Sequence, residues 1–167
     1  RQYARIPEPT VQTIDLNALM REVLTLDESH AGWFHLEFAD DIPYFVGDPA
    51  QLRQVMHNLL QNAQDSLADV SEPRITVRSE RTEGGIRVTI TDNGAGFPET
   101  LMKRAFEPYV TTKPKGTGLG LVIVKKIVEE HNGTVGISNV SPHGARVTLT
   151  FSTLAAQKPA PRAAANA

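Results

Sequence analysis

Leu16, Leu19, Met20, Val23 and Leu24 recur at helical spacing behind Asp15, a good N-cap, and predict a helix from Leu16 to about Thr25 with one buried face. Phe34, Leu36 and Phe38 alternate with His35 and Glu37, the period of a half-buried strand, and Tyr44 to Val46 predict a short second strand. Asp48-Pro49 is a strong start signal, an N-cap aspartate followed by proline at the first helical position. The helix it opens runs to about Leu67, with Leu52, Val55, Met56, Leu59, Leu60 and Ala63 apolar. Ile75 and Val77, then Ile86, Val88 and Ile90, alternate with polar residues around Glu83-Gly84-Gly85 and predict a hairpin. From Asp92 to Gly120 the chain is rich in glycine and proline without clear periodicity, and a loop of that length inside a domain is usually functional. A third helix is expected from about Leu119 to Glu130, ended by His131-Asn132-Gly133. Val135 and Ile137, then Val147, Leu149 and Phe151, close the pattern as a last hairpin around Ser141 to Gly144.

The order is helix, two strands, helix, two strands, loop, helix, two strands. With the strands mostly in hairpins, it predicts an α+β two-layer sandwich: a mixed sheet of about five or more strands packed on three helices. Pro7 and Pro9 interrupt the N-terminal stretch, so residues 1–12 are expected to finish an upstream helical domain or linker. The domain proper should span 13–154, and the Ala/Pro-rich residues 155–167 should be a disordered tail.

Composition narrows the function. Apolar residues make up 40% and charged residues 22% of the 167, with a net charge of −2, so no global field draws the chain to nucleic acid or an anionic membrane. There is no cysteine, which removes disulfides and thiolate metal sites from this chain. No apolar run approaches the ~20 residues that cross a bilayer, and no signal peptide is visible.

Four stretches carry candidate chemistry. Asp92-Asn93-Gly94-Ala95-Gly96 follows a strand directly, so the strand fixes the aspartate while the glycines let a ligand approach the backbone; it is equally ordinary turn chemistry. Gly116-Thr117-Gly118-Leu119-Gly120 leads into the third helix and presents free N–H groups suited to phosphate. It is neither a dinucleotide fingerprint, since no βαβ unit surrounds it, nor a Walker A loop, since no Gly-Lys-Ser/Thr follows. Asn58 and Asn62 stand i, i+4 on the long helix, so their amides share a face, which Asp65 is expected to continue. A solvated stripe would explain them, yet asparagine is a poor helix former, and an amide oxygen suits Mg²⁺. Finally, Phe106 to Lys113 lies between the two glycine stretches, with Lys113 and Lys115 placed to reach phosphates or simply making a basic loop.

In order and combination these stretches resemble the histidine-kinase branch of the ATPase superfamily that also holds gyrase, MutL and a heat-shock chaperone. Asp48 to Ala63 matches its N box, Asp92 to Gly96 its first glycine box, Phe106 to Lys113 its F box and Gly116 to Gly120 its second glycine box. The wording Phe-Glu-Pro-Tyr-Val-Thr-Thr-Lys is most similar to nitrogen-regulation sensor kinases of the NtrY type. The resemblance implies a Bergerat-type fold that binds ATP with Mg²⁺. It implies that Asp92 accepts from the adenine amino group and that Asn62 holds the metal. Gly94, Gly96, Phe106, Thr112, Gly116, Thr117, Gly118, Leu119 and Gly120 would line the nucleotide, and Lys113 would reach its terminal phosphate. The loop from Pro98 to Lys115 would be mobile until nucleotide binds. Many members have Gly-Thr near the last strand, where this chain has Gly144-Ala145.

The superfamily's hydrolases carry a glutamate four residues before the metal-binding asparagine. This chain has Asn58 there, and an amide cannot serve as a general base at neutral pH. The resemblance therefore implies a kinase that keeps the γ-phosphate for a histidine on a separate dimerisation and phosphoacceptor domain, which then feeds a response regulator. His30, His35, His57, His131 and His143 all lack the family's phosphoacceptor wording and read as ordinary polar residues, with His57 on the surface. The implied setting is a cytoplasmic domain, monomeric by itself, of a dimeric parent anchored in the inner membrane. A hydrolytic clamp and a degenerate nucleotide sensor are the rival readings.

Overall fold

The computed structural model describes residues 8, 10–26, 29–108 and 120–153. β1 (Gln12–Ile14) is followed by α1 (Leu16–Leu26), a single 3-10 turn at Ala31–Trp33, β2 (Phe34–Phe38), β3 (Phe45–Gly47) and α2 (Pro49–Asp65). Then come β4 (Ile75–Thr82), β5 (Gly85–Asp92), the short α3 (Glu99–Met102), α4 (Gly120–Glu130), β6 (Gly133–Asn139) and β7 (Ala145–Ser152). Five strands form one mixed sheet in the order β2-β4-β5-β7-β6, parallel only between β2 and β4. β1 and β3 make a separate antiparallel pair.

Alternation along the strands decides which face is covered. Ile75, Val77, Ile86, Val88, Ile90, Leu149 and Phe151 point to one side and are buried in a single cluster with Leu16, Met20, Leu52, Met56, Leu59, Val124 and Ile127 of the helices. The opposite face carries Thr76, Arg78, Glu80, Arg87, Thr89, Arg146 and Thr148. The two-layer α+β sandwich expected from the pattern is therefore the architecture found. Asp48 caps α2 as its position predicts: its Oδ1 accepts from the N–H groups of Ala50 at 2.9 Å and Gln51 at 3.2 Å.

The departures are local and have physical causes. β2 lies at the sheet edge and pairs on one side only, so Leu36 stays 40% exposed instead of sharing a buried face with Phe34 and Phe38. β2 and β3 do not pair with each other; β3 leaves the main sheet for β1, a three-residue strand too short to show a period. That pairing sets Ile14 opposite Phe45, so the strand is Phe45–Gly47 and Tyr44 is left 63% exposed. α2 ends at Asp65, where Ser66 turns its N–H onto the Asn62 carbonyl at 3.2 Å. α3 is four residues long with none buried, and left no periodic trace in the sequence. The expected tail at 155–167 and the stretch 1–7 lie outside the described residues.

Candidate functional site

β5 ends on Asp92, a carboxylate only 7% exposed. Its Oδ1 accepts from the Gly94 N–H at 2.8 Å, the usual local turn of an aspartate, and from the Ala145 N–H at 3.2 Å. Its Oδ2 lies 3.2 Å from Ser66 Oγ, which is also 2.8 Å from the Ala63 carbonyl, so one hydroxyl proton serves two acceptors. An ionised carboxylate can accept about four hydrogen bonds. Three directions are engaged by described residues, which leaves Asp92 able to accept one donor from a ligand.

The backbone is shaped around this group. Gly144 has φ of +136°, and a Cβ there would stand 2.0 Å from the Asp92 carbonyl oxygen, so only glycine brings the β6–β7 turn this close. Gly96 has φ of +84° and is packed against the Asn139 side chain and the Gly144 carbonyl. Asn93 faces away: its Oδ1 accepts from the Arg74 N–H at 2.9 Å and its Nδ2 donates to the Glu72 carbonyl at 2.8 Å. It ties the loop before β4 to the box.

Asn58 and Asn62 are half-buried on α2, one turn apart. Asp65 stands three residues after Asn62 at the end of α2, on the side expected of it. It is exposed and accepts from Gln61 Nε2 at 3.0 Å. Ser66, at i+4 from Asn62, also lies on this side, and it reaches Asp92. At the other border, Gly120 opens α4 beside α2: a Cβ on it would lie 4.0 Å from Asn62 Nδ2. The long helix, the first glycine stretch and the last glycine of the second stretch therefore meet around Asn62, Ser66 and Asp92.

Phe106 is half-buried in the turns after α3. Thr112, Lys113, Gly116, Thr117, Gly118 and Leu119 lie outside the described residues, as do most of the F stretch and residues 109–115 of the loop expected to move. His57 is exposed on α2, as predicted. His143 sits in the β6–β7 turn with its Nδ1 3.1 Å from the Gly94 carbonyl, and His30 stacks on Trp33 at 3.9 Å between ring centroids. His131 is not an ordinary surface residue: it is 3% exposed and bonded at both ring nitrogens.

Among the described residues no three His, Asp or Glu side chains gather as a metal cage. Sequence reasoning missed Ser66 and Asn139. The i+4 series Asn58, Asn62, Ser66 was the available signal for the first; nothing local marks the second.

The chain matches the family described as histidine kinase-, DNA gyrase B- and HSP90-like ATPase over residues 47–154. It is 38% identical over 151 residues to a sensor histidine kinase of the NtrY-like type from Rickettsia bellii (strain RML369-C), covering 89% of this chain and 25% of that protein. It thus spans about a quarter of the length of that relative. Among solved structures it is similar to the catalytic domain of histidine kinase ThkA, with 31% identity and a TM-score of 0.76 over 86% of this chain and 97% of the other. It is also similar to ThkA in complex with the response regulator protein TrrA, with 28% identity and a TM-score of 0.76 over 91% of this chain and 44% of the other.

Proposed function

The chain belongs to the histidine kinase-, DNA gyrase B- and HSP90-like ATPase family, and from that premise we propose that it is the ATP-binding catalytic domain of a sensor histidine kinase of the nitrogen-regulation type. The observation that carries this is the buried Asp92 carboxylate, held by Gly94, Ala145 and Ser66 with one acceptor direction left, at the junction of α2 with the glycine stretches. An acceptor of that kind suits the exocyclic amino group of adenine. Asn62 is the residue that would hold Mg²⁺, which when bound neutralises phosphate charge. Gly120, where a Cβ would meet nothing nearer than Asn62 Nδ2 at 4.0 Å, leaves room for the nucleotide, Gly94 and Gly96 let the backbone pack tightly beside Asp92, and Lys113 is assigned to the terminal phosphate.

Asn58 sits one turn before Asn62, where a hydrolase of the superfamily would carry its carboxylate base. An amide at that position cannot take a proton from water, and the γ-phosphoryl group waits for another nucleophile. That nucleophile is a histidine of a dimerisation domain outside this chain: the bond from phosphorus to the β-phosphate oxygen breaks, a bond to an imidazole nitrogen forms, and ADP leaves. The parent protein is then a dimeric, membrane-anchored kinase acting on a response regulator, a relation supported by the ThkA complex with TrrA. Ala145 has no hydroxyl, but its N–H donates to Asp92, so the last strand still supports the adenine acceptor.

The test is to mix this chain with Mg²⁺, labelled ATP and the histidine-bearing helical domain of its parent. Phosphate on the helical domain is the expected result. Binding without transfer would leave a nucleotide sensor, and free phosphate without transfer would leave a hydrolase.

A further inference from the structure

We propose that Asn139 is a positioning residue for the nucleotide site, bracketing the first glycine box through the backbone of Phe97. Asn139 is the last residue of β6, where it pairs with Ala145 of β7. That ladder asks nothing of its side chain, which is exposed. Yet the side chain uses both of its polar atoms on one residue 42 positions earlier: the Phe97 N–H donates to Asn139 Oδ1 at 2.8 Å, and Asn139 Nδ2 donates to the Phe97 carbonyl at 3.0 Å. A donor and an acceptor offered to a single residue's N–H and C=O reproduce the hydrogen-bonded pair of an antiparallel ladder. Phe97 is thereby held as if it were a further strand residue, although it lies in irregular chain.

The bracket closes a ring of contacts around the box. Asp92 Oδ1 fixes the Gly94 N–H, His143 Nδ1 donates to the Gly94 carbonyl, and Asn139 fixes Phe97. Gly96, between them, takes its positive φ against the Asn139 amide: a Cβ there would lie 2.8 Å from Asn139 Oδ1. The turn from Gly94 to Phe97 is therefore ordered by the protein before any ligand arrives. A ligand that binds a pre-ordered turn avoids the entropic cost of ordering it, so the bracket acts on affinity. The bracket acts through Phe97 and Gly96.

This rests on the proposal that the pocket at Asp92 takes a nucleotide, and the experiment separates the two. The unaltered chain, Asn139→Ala and Ser79→Ala are titrated with ADP by calorimetry, with urea unfolding of each. Ser79 is a buried residue of β4 that donates to Asn17 Oδ1 at 2.7 Å, and its loss serves as a control for stability alone. Two hydrogen bonds to an exposed side chain correspond to roughly 3- to 10-fold in affinity. Asn139→Ala should bind ADP that much more weakly and exchange the Phe97 amide faster, while Ser79→Ala, at least as destabilised, keeps the parent affinity. Parent-like affinity in Asn139→Ala overturns the proposal, as does an equal loss in Ser79→Ala. No ADP binding by the unaltered chain overturns the nucleotide assignment and the bracket with it.

Discussion

His131 Nε2 lies 2.9 Å from the backbone nitrogen of Asp48, 83 residues earlier, and accepts its N–H. The other ring nitrogen faces the Ile127 carbonyl at 2.8 Å, so the proton belongs on Nδ1 and the lone pair on Nε2. The imidazole joins the end of α4 to the cap of α2, while Gly120 meets Asn62 at the opposite end of the same helix pair. His131→Ala would leave a buried N–H without an acceptor, which costs ~1–3 kcal/mol. His131→Gln, which can turn an amide oxygen to Asp48, should recover part of that. Urea unfolding of the two variants checks this, and an alanine variant as stable as the parent would show that the link contributes nothing.

Asp48 joins a third segment to this point, since its Oδ2 accepts from the Thr10 N–H at 2.7 Å. Burial pushes the carboxyl up, but hydrogen bonds from Thr10, Gln51 and Ala50 outweigh it and hold the group below its ordinary 3.8. A depressed folded value means that the carboxylate stabilises the fold fully above the unfolded value and loses that contribution as pH falls through the folded one. Asp48→Asn keeps a capping oxygen without the charge. The parent should therefore be more stable at neutral pH, by up to about 1 kcal/mol, with the gap closing as pH drops below 3.8. Paired unfolding curves across that range measure it. A gap that does not change with pH would mean that the charge is irrelevant.

Asp92 connects stability to binding, because its carboxylate serves Gly94, Ala145 and Ser66 as well as the proposed adenine donor. An adenine donor left unpaired in a buried site costs ~1–3 kcal/mol, so Asp92→Ala should weaken ATP and ADP binding about 5- to 150-fold. Calorimetry on the folded variant decides it; unchanged affinity would remove Asp92 from the adenine contact.

The elements around this site differ in how plainly the sequence announces them. α2 was legible because Asp48-Pro49 and six apolar positions agree on one helix, and β4 and β5 because alternation and a Gly-Gly turn agree on one hairpin. β1 and α3 were not, being three and four residues long, too short for a pattern to repeat. At the candidate site, Asp92, Asn62 and the glycines stood out by residue type and local spacing. Ser66, Asn139 and His131 were hidden because their partners lie 26, 42 and 83 residues away, and only the fold brings those partners together. His131 in particular follows α4 with Asn132 at φ of +61°, so its local sequence advertised a helix end and nothing of its burial.

Asn58 and Asn62 separate transfer from hydrolysis. They stand one helical turn apart on the half-buried face of α2 that Ser66 extends to Asp92, so both face the proposed nucleotide. If Asn62 holds the metal, residue 58 faces the terminal phosphate. A carboxylate there would act as general base toward water, assistance worth ~10²–10⁴-fold in rate, and an amide supplies none of it. This chain by itself should turn over labelled ATP very slowly, yet donate phosphate to a histidine-bearing helical domain added in trans. Asn62→Ala should abolish that transfer through loss of the metal ligand, while ADP binding falls less because Asp92 is untouched. Asn58→Glu should raise hydrolysis only slightly, since a base is of use only where a water is also held in line. Brisk turnover by the unaltered chain, with no transfer to the added domain, would place it among the hydrolases of the family.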